Sequence, residues 1–430
     1  MFKNILNTTI IKVLNTLVSF LMLLITARAL GPQNLGTTGL ILLAINIILL
    51  LNNLVGGGAL VFLVPRYSLR RIVMVSYGWV IAASVLGILI FVLFRIEPQG
   101  YYRDIFLLSL IFGVNFVNQN VLLGKELIRF FNLISFIQYI LLISLVVVFF
   151  YGFKMPTISS YLTAMYISWG GQLLLGTIKI ATLIPKHPHR NTEGLFRDLM
   201  KFGVFIQIAN LTQFFSYRLT YYFVEHYLGR AKLGVFEIGN KLADGVWLFG
   251  KSISMVQYSW IANADEKDDT ITLTLRLFRF SLVLSLMIVA AMVLIPESVY
   301  LIFFGERYAG LHRVLLLMAP GIVGMSASMI ISHYFAGIGK YYVNTVNSIL
   351  GLIAVTITSW WLIPRYGLAG AALAATITYS VSLLYNLITF AILTKTPAHH
   401  YLPSRQDVRF LKGLIRKYLQ GRASGHENRM

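Results

Sequence analysis

Leu30-Gly31-Pro32-Gln33-Asn34-Leu35-Gly36 returns later in the 430-residue chain as Leu228-Gly229-Arg230-Ala231-Lys232-Leu233-Gly234. Each copy follows one long apolar stretch and leads into another. A second echo, Gly124-Lys125 and Gly339-Lys340, stands after later apolar stretches. The recurrence at equivalent places predicts two similar halves, each built from several apolar segments.

The composition sets the class of protein. Hydrophobic residues make up 57% of the chain and charged residues 12%, whereas soluble domains are about 45–50% apolar and about 25% charged. These values exclude a soluble globular enzyme, a disordered chain and a fibrous repeat. A membrane span needs about 20 apolar residues. Twelve candidate spans are 5–27, 37–63, 72–94, 104–123, 132–151, 160–182, 202–225, 232–260, 273–295, 313–336, 343–363 and 369–393.

The predicted fold is an all-α polytopic membrane protein with about twelve transmembrane helices in two six-helix halves around a central polar cavity. The halves would be residues 1–195 and 196–395, followed by a basic cytoplasmic tail, 396–430. Because six is even, both halves begin on the same side of the membrane. Such parallel repeats place a substrate between the halves, near the bilayer midplane.

In a membrane protein, the net charge of +20 is explained by Lys and Arg retained in cytoplasmic loops, so it indicates the orientation of the chain in the membrane rather than nucleic-acid binding. Loops on the amino-terminal side of the membrane carry more Lys and Arg than the opposite loops, which places both termini in the cytoplasm. Residues 404–422 of the tail read either as an amphipathic helix on the inner leaflet or as a solvated basic segment. The chain has no cysteine, so disulfides and a thiol nucleophile are excluded.

Charged residues inside the eighth span are the strongest functional signal. Glu237, Lys241, Asp244 and Lys251 recur at helical spacing and share one face. A charge at the bilayer centre costs at least a few kcal/mol. This face must therefore line a wet cavity or pair with other charges.

Other polar residues extend this pattern to neighbouring spans. The predicted substrate-binding set comprises Arg218, Lys251, Lys241, Lys12, Asn15 and Arg28, and the set for ion coupling or ion pairing comprises Glu237, Asp244 and Glu225. One interpretation is a cationic lumen for an anionic substrate. The other is a set of interhelical ion pairs that lock the bundle, with Lys12 reaching the interface.

Catalytic chemistry has no support in the sequence. No nucleophile triad, P-loop or dinucleotide motif occurs, and no loop exceeds about 20 residues, which leaves no space for a catalytic domain. We therefore expect no enzyme activity, no cofactor and no metal site.

Four motifs taken in order resemble the Wzx-type flippases of O-antigen and capsule synthesis, in the MOP superfamily that also contains the MATE exporters. They are Arg28-x-Leu30-Gly31-Pro32, Arg218 followed by the second heptapeptide, Phe304-Gly305-x-x-Tyr308, and Leu362-Ile363-Pro364-x-Tyr366-Gly367. One departure is Thr220, where the family often has an acidic residue two positions after the arginine. Either Glu225 or a carboxylate of the eighth span would take that role, or ion coupling differs.

The resemblance implies a transporter that flips polyprenyl-pyrophosphate-linked oligosaccharide across the bacterial inner membrane by alternating access. It also implies contact with the lipid bilayer and with a polysaccharide polymerase and other assembly proteins. An ion-coupled multidrug or metabolite exporter of the MATE type is the alternative, because the carboxylates Glu237 and Asp244 are compatible with a cationic substrate. A glycan polymerase or ligase is a third reading, and the absence of a large external loop argues against it.

Overall fold

The computed structural model describes residues 2–55, 60–61, 63–64, 67–184, 207, 210–262 and 267–402, with side chains from Val18 onward except at positions 256, 259, 262, 267–269 and 398. Within these residues the chain is helical with short connections and contains no β-strand. The helices are α1 Phe2–Asn52, α2 Leu69–Leu93, α3 Tyr102–Gly124, α4 Ile128–Val147, α5 Ile158–Leu183, α6 Thr220–Ala262, α7 Lys267–Leu294, α8 Glu297–Phe304, α9 Leu311–Gly337 and α10 Tyr341–Thr394. Residues 210–218, just before α6, are also helical.

Seven helical segments in the described ranges are long and apolar enough to cross a bilayer. Val18–Val55 and Tyr341–Thr394 have 38 and 54 residues, about two to three times the length that one crossing needs. Large apolar side chains such as Leu86, Ile178 and Ile357 are exposed on the helices, as expected for lipid-facing surfaces. The prediction of an all-α polytopic membrane protein is confirmed.

Three helices bend at glycines, two of them in the heptapeptides. Gly31 in α1 has φ 74° and ψ 171°, and Gly229 in α6 has φ 80° and ψ 172°. Side chains disfavour such positive φ values, so glycine is required at both positions. The two copies of the heptapeptide are thus a structural repeat, helix–bend–helix. α10 bends at Gly367, three residues after Pro364.

The predicted spans differ from the observed helices at the connections between spans. Spans one and two are joined within α1, and the last two spans are joined within α10. The short helix α8 lies between the ninth and tenth predicted spans and was not predicted. Eight residues are too few to cross a bilayer, so a search for spans passes over it. Residues 403–430, with the predicted amphipathic tail helix, lie outside the described residues.

We refer to α1–α5 as the amino-terminal half and to the helical residues from 210 to 394 as the carboxy-terminal half. Each has its own buried apolar clusters, one around Ile45 and Leu108 and another around Ile330 and Phe335. A further cluster joins the halves close to the Gly31 bend. It brings together Ala27, Leu35, Val235, Ile238, Tyr300, Phe304, Tyr308, Leu311 and Leu315. We call this end of the bundle the Gly31 end.

Asparagines in α3 connect helices of the amino-terminal half. Asn118 accepts a hydrogen bond from the Tyr77 hydroxyl on α2 and donates one of 3.1 Å to Thr177 on α5. Asn115 donates to the Trp169 carbonyl oxygen at 2.9 Å. Such hydrogen bonds stabilise helix packing in a bilayer, so these asparagines serve the packing of this half.

Candidate functional site

A polar cavity of about 260 Å³ lies where α1 meets the carboxy-terminal half. Its lining comes from α1, residues 214–218, α6, α9 and α10. The lining residues are Gly39, Leu42, Leu43, Asn46, Phe214, Tyr217, Arg218, Tyr221, Glu237, Asn240, Lys241, Asp244, Trp247, Lys251, Met329 and Tyr379. The one-face pattern of the eighth span is thus directed into a cavity, as the sequence predicts for charges that avoid lipid.

Arg218 and Asp244 form the closest ion pair of the cavity. The Arg218 Nη2 atom lies 2.6 Å from Asp244 Oδ2, and Nη1 donates to the Tyr221 hydroxyl at 2.8 Å. The side chains are 20% and 31% exposed, so the pair is partly open to the cavity. A guanidinium has five N–H donors, and these two contacts use two of them. The other three make no hydrogen bond among the described residues.

Glu237 and Lys241 form a looser pair on the same helix. The Lys241 Nζ atom lies 3.7 Å from Glu237 Oε1, and the lysine is 43% exposed whereas Glu237 is 6% exposed. The other carboxylate oxygen, Oε2, is buried and has no hydrogen-bond partner among the described residues. It faces Gly39 on α1, whose missing side chain leaves space for the carboxylate.

The remaining predicted residues take different positions. Lys251 is exposed and lines the polar cavity, whereas Arg28 is exposed and is not in its lining. Glu225 lies outside the cavity lining, and its Oε1 atom is 3.8 Å from Arg230 Nε. Asp244 of the eighth span is therefore the carboxylate that pairs with Arg218. The side chains of Lys12 and Asn15 lie outside the described residues.

A second cavity of about 280 Å³ lies next to the first and is lined mainly by helices of the amino-terminal half. The two share Gly39, Leu42, Glu237 and Lys241 in their linings. The other lining residues are Val18, Ser19, Met22, Leu23, Thr26, Leu35, Thr38, Phe112, Tyr139, Leu142, Ile143, Tyr161, Met165 and Trp169. We call it the aromatic cavity. Its rings come from α3, α4 and α5, and no spacing pattern in the sequence pointed to them.

The two heptapeptides touch each other reciprocally at the Gly31 end. Gly36 packs against the backbone carbonyl of Arg230, and Gly234 packs against the backbone carbonyl of Pro32. A Cβ at either glycine would overlap the opposing carbonyl group. Equivalent residues make equivalent contacts across this junction, as a pseudo-twofold relation between the halves requires. We call this junction the glycine contact.

Side chains from both halves surround the glycine contact. The Arg230 Nη2 atom lies 2.6 Å from Glu97 Oε2, in the connection after α2. On the other side of the junction, the Tyr308 hydroxyl donates to the Ala27 carbonyl oxygen at 2.9 Å. Burial raises the pKa of Tyr308, so this hydroxyl remains a proton donor at physiological pH. The halves are therefore joined by polar contacts as well as by close backbone packing.

The ion pair of Arg230 and Glu97 is expected to contribute little on its own. Its side chains are 35% and 28% exposed, and such pairs contribute about 0–1 kcal/mol. Arg230→Ala should therefore lower the free energy of unfolding by no more than about 1 kcal/mol, measured by thermal unfolding of the purified protein in detergent. The exchanged pair Glu97→Arg with Arg230→Glu should restore the wild-type stability. A loss of stability several times larger in Arg230→Ala would contradict this estimate.

The chain resembles known proteins both in sequence and in fold. Residues 24–313 match the sequence model of a family described as polysaccharide biosynthesis proteins. The capsular polysaccharide biosynthesis protein CapF of Staphylococcus aureus is 28% identical over 165 residues, 37% of this chain and 41% of that relative. The chain thus matches less than half the length of this curated relative.

Two solved structures share the fold across nearly the whole chain. One is the lipid II flippase MurJ in an inward closed conformation, with TM-score 0.71 and 15% identity, covering 96% of this chain and 93% of that one. The other is a multidrug resistance MATE family transporter of the MOP superfamily in an inward-facing conformation. It has TM-score 0.67 and 17% identity, covering 89% of this chain and 96% of that one. At these identities the likeness establishes the fold.

Proposed function

The chain belongs to the family of polysaccharide biosynthesis proteins, and from this membership we propose that it is a flippase for polyprenyl-pyrophosphate-linked oligosaccharide. The observation that carries the proposal is Arg218, an arginine in a cavity between membrane helices with donors left for a ligand. Arginine is suited to phosphate because its planar fork of donors matches two phosphate oxygens at once. A pyrophosphate is the anion that every such substrate carries.

The charges of the polar cavity favour an anionic ligand. Arg218, Lys241 and Lys251 outnumber Glu237 and Asp244 in its lining. Asp244 pairs with Arg218 in the structure, and a pyrophosphate would compete with this carboxylate for the guanidinium. Asp244 then serves to release the substrate as well as to stabilise the empty site. Arg28, Lys12 and Asn15 would contact the substrate only along its path into or out of the cavity.

Transport would follow from the way the halves meet. They pack together at the Gly31 end through the glycine contact, so a substrate would leave the cavity there only when this contact opens. Rocking of one half against the other gives alternating access to a site between them. We place the division between the halves at residues 195 and 196, with the polyprenyl chain remaining in the bilayer.

We further propose that the membrane is the bacterial inner membrane and that both termini are cytoplasmic. The excess of Lys and Arg on the amino-terminal side supports this orientation. It makes the Gly31 end the external side. A polysaccharide polymerase and other assembly proteins would receive the flipped substrate there. Because the chain only moves a lipid-linked glycan between leaflets, it is a transporter and not an enzyme.

An ion-coupled exporter of the MATE type is the second candidate. It is favoured by Glu237, a buried carboxylate with one unpaired oxygen, because such a group can take up a proton or attract a cationic drug. The three cations around it argue against cationic substrates. Within the flippase, Glu237 and Asp244 would be the candidates for coupling transport to an ion gradient.

Deletion of the gene separates the two candidates. The flippase predicts that surface polysaccharide is lost and that lipid-linked oligosaccharide accumulates in the inner leaflet, because its synthesis continues while its exit stops. Susceptibility to cationic drugs should stay within twofold of the parent strain. Normal surface glycan together with increased drug susceptibility would support the exporter. Plasmid-borne wild-type protein is the control for both measurements.

A further inference from the structure

We propose that the aromatic cavity binds the sugar ring attached directly to the pyrophosphate, and that it selects a neutral sugar there. The inference rests on the flippase function proposed above and names a separate binding site within it. It assigns the pyrophosphate to the carboxy-terminal half and the first sugar to the amino-terminal half.

The walls of the aromatic cavity have the chemistry of a carbohydrate site. Tyr139, Tyr161 and Trp169 line it together with apolar side chains and the hydroxyl-bearing residues Ser19 and Thr38. Aromatic rings offer flat apolar faces and, in tyrosine, a polar edge. A sugar ring is a good match because its C–H bonds form an apolar face and its hydroxyls form a polar rim.

Trp169 is held in place by its neighbours. Its ring centroid lies 3.7 Å from that of Phe112 at an interplanar angle of 31°. Its backbone carbonyl accepts the hydrogen bond from Asn115. Contacts within the protein therefore position Trp169, and a positioned ring loses little entropy when a ligand stacks on it.

Glu237 supplies a hydrogen-bond acceptor at the boundary with the polar cavity. The residue is 5% exposed, and its Oε2 atom accepts no direct hydrogen bond among the described residues, with the Tyr221 hydroxyl as a donor close to the carboxylate. A buried carboxylate oxygen without a donor is costly, and a sugar hydroxyl would provide that donor once the carboxylate turns from Gly39 toward the cavity. The carboxylate would also repel that of an acidic sugar, because Lys241 in the same lining already pairs with Glu237 at 3.7 Å. This is the reason for assigning a neutral sugar to the site.

The position and size of the cavity identify which sugar it would hold. It shares Gly39, Leu42, Glu237 and Lys241 with the polar cavity, so a ligand can occupy both at once. Its volume of about 280 Å³ is just below the range of small-molecule pockets, about 300–1,000 Å³. It has room for the sugar next to the pyrophosphate, whereas the rest of the oligosaccharide would extend away from the site.

The test compares two ligands on the purified full-length protein in detergent. One is polyprenyl pyrophosphate, and the other carries a single N-acetylhexosamine on the same pyrophosphate. Wild-type protein should bind the glycosylated lipid at least tenfold more tightly. Trp169→Leu and Tyr139→Leu should each remove most of this difference while leaving the affinity for polyprenyl pyrophosphate within twofold. Trp360→Leu, at a 63% exposed position on α10, is the matched control and should behave as wild type.

A third lipid, with a uronic acid in the first position, tests the selection. Wild-type protein should bind it no more tightly than polyprenyl pyrophosphate, and Glu237→Gln should improve its binding by at least fivefold. Equal affinity of wild-type protein for all three lipids would overturn the assignment of the first sugar while leaving the flippase intact. Equal weakening of both original ligands by the two leucine variants would also overturn it. Failure of wild-type protein to bind any of the lipids would instead contradict the proposed function.

Discussion

Arg218→Ala is expected to lower glycan translocation by about a hundredfold while the protein still inserts into the membrane. The guanidinium now donates to Asp244 and Tyr221, and in transport it would bind the pyrophosphate through charge-assisted hydrogen bonds. Each such bond contributes about 1.5–3 kcal/mol, and about 1.4 kcal/mol corresponds to a factor of ten. Loss of two bonds to the substrate therefore gives the expected factor. The measurement is surface glycan per inserted protein, determined with quantified membrane fractions.

An exchange of the two charges separates a structural from a functional role. Arg218→Asp combined with Asp244→Arg keeps an ion pair between the same helical segments but moves the guanidinium. We expect normal insertion and no recovery of transport. Recovery to the wild-type rate would show that the pair only holds the helices together. Arg365→Ala is the matched control, because Arg365 is exposed and stacks on Trp361, 4.4 Å from the ring centroid, outside the cavity lining.

Gly36→Ala and Gly234→Ala are expected to lower transport by at least tenfold by destabilising the closed Gly31 end. The added methyl group would overlap a backbone carbonyl of Arg230 or Pro32, and a backbone group cannot turn away as a side chain can. Overpacking costs typically about 1–3 kcal/mol. Both glycines lie in one junction, so the double variant should be little worse than the more affected single variant.

Cysteine labelling can report the opening directly, because the chain contains no cysteine. Asn46→Cys places a thiol in the lining of the polar cavity. In intact cells, an impermeant maleimide should label it slowly in the otherwise wild-type protein and at least fivefold faster with Gly36→Ala or Gly234→Ala. The control is Gly78→Ala on α2, where a Cβ meets no atom within 4 Å. Unchanged labelling and transport in the glycine variants would contradict the gating role.

The class of fold could be predicted from the sequence because the length of apolar segments reflects the thickness of the bilayer. The heptapeptide repeat also marked equivalent positions, which the shared conformation of Gly31 and Gly229 bears out. Reciprocal contact between the two copies could not be predicted. It depends on backbone packing between distant segments, and periodicity describes only one helix at a time.

The charged part of the site could also be predicted from the physical properties of the bilayer. Charges at helical spacing in an apolar span must avoid lipid, and this placed Glu237, Lys241, Asp244 and Lys251 in one cavity. The partner of Arg218 stayed open because Asp244 is distant in sequence and reaches it only in the folded bundle. Aromatic residues such as Tyr139 and Trp169 gave no signal, since aromatics in membrane helices pack against lipid and protein alike.

The central claim is that the chain moves a lipid-linked oligosaccharide between leaflets, and reconstituted vesicles test it most directly. Purified protein and a polyprenyl-pyrophosphate-linked oligosaccharide would be placed in liposomes, and an impermeant enzyme in the outer solution would modify every glycan that it reaches. With wild-type protein, more than 90% of the glycan should become accessible. In protein-free vesicles and in vesicles with Arg218→Ala, the accessible fraction should stay at about one-half, which is the share that lies in the outer leaflet. Accessibility of about one-half with properly folded wild-type protein, with and without an imposed ion gradient, would contradict the account.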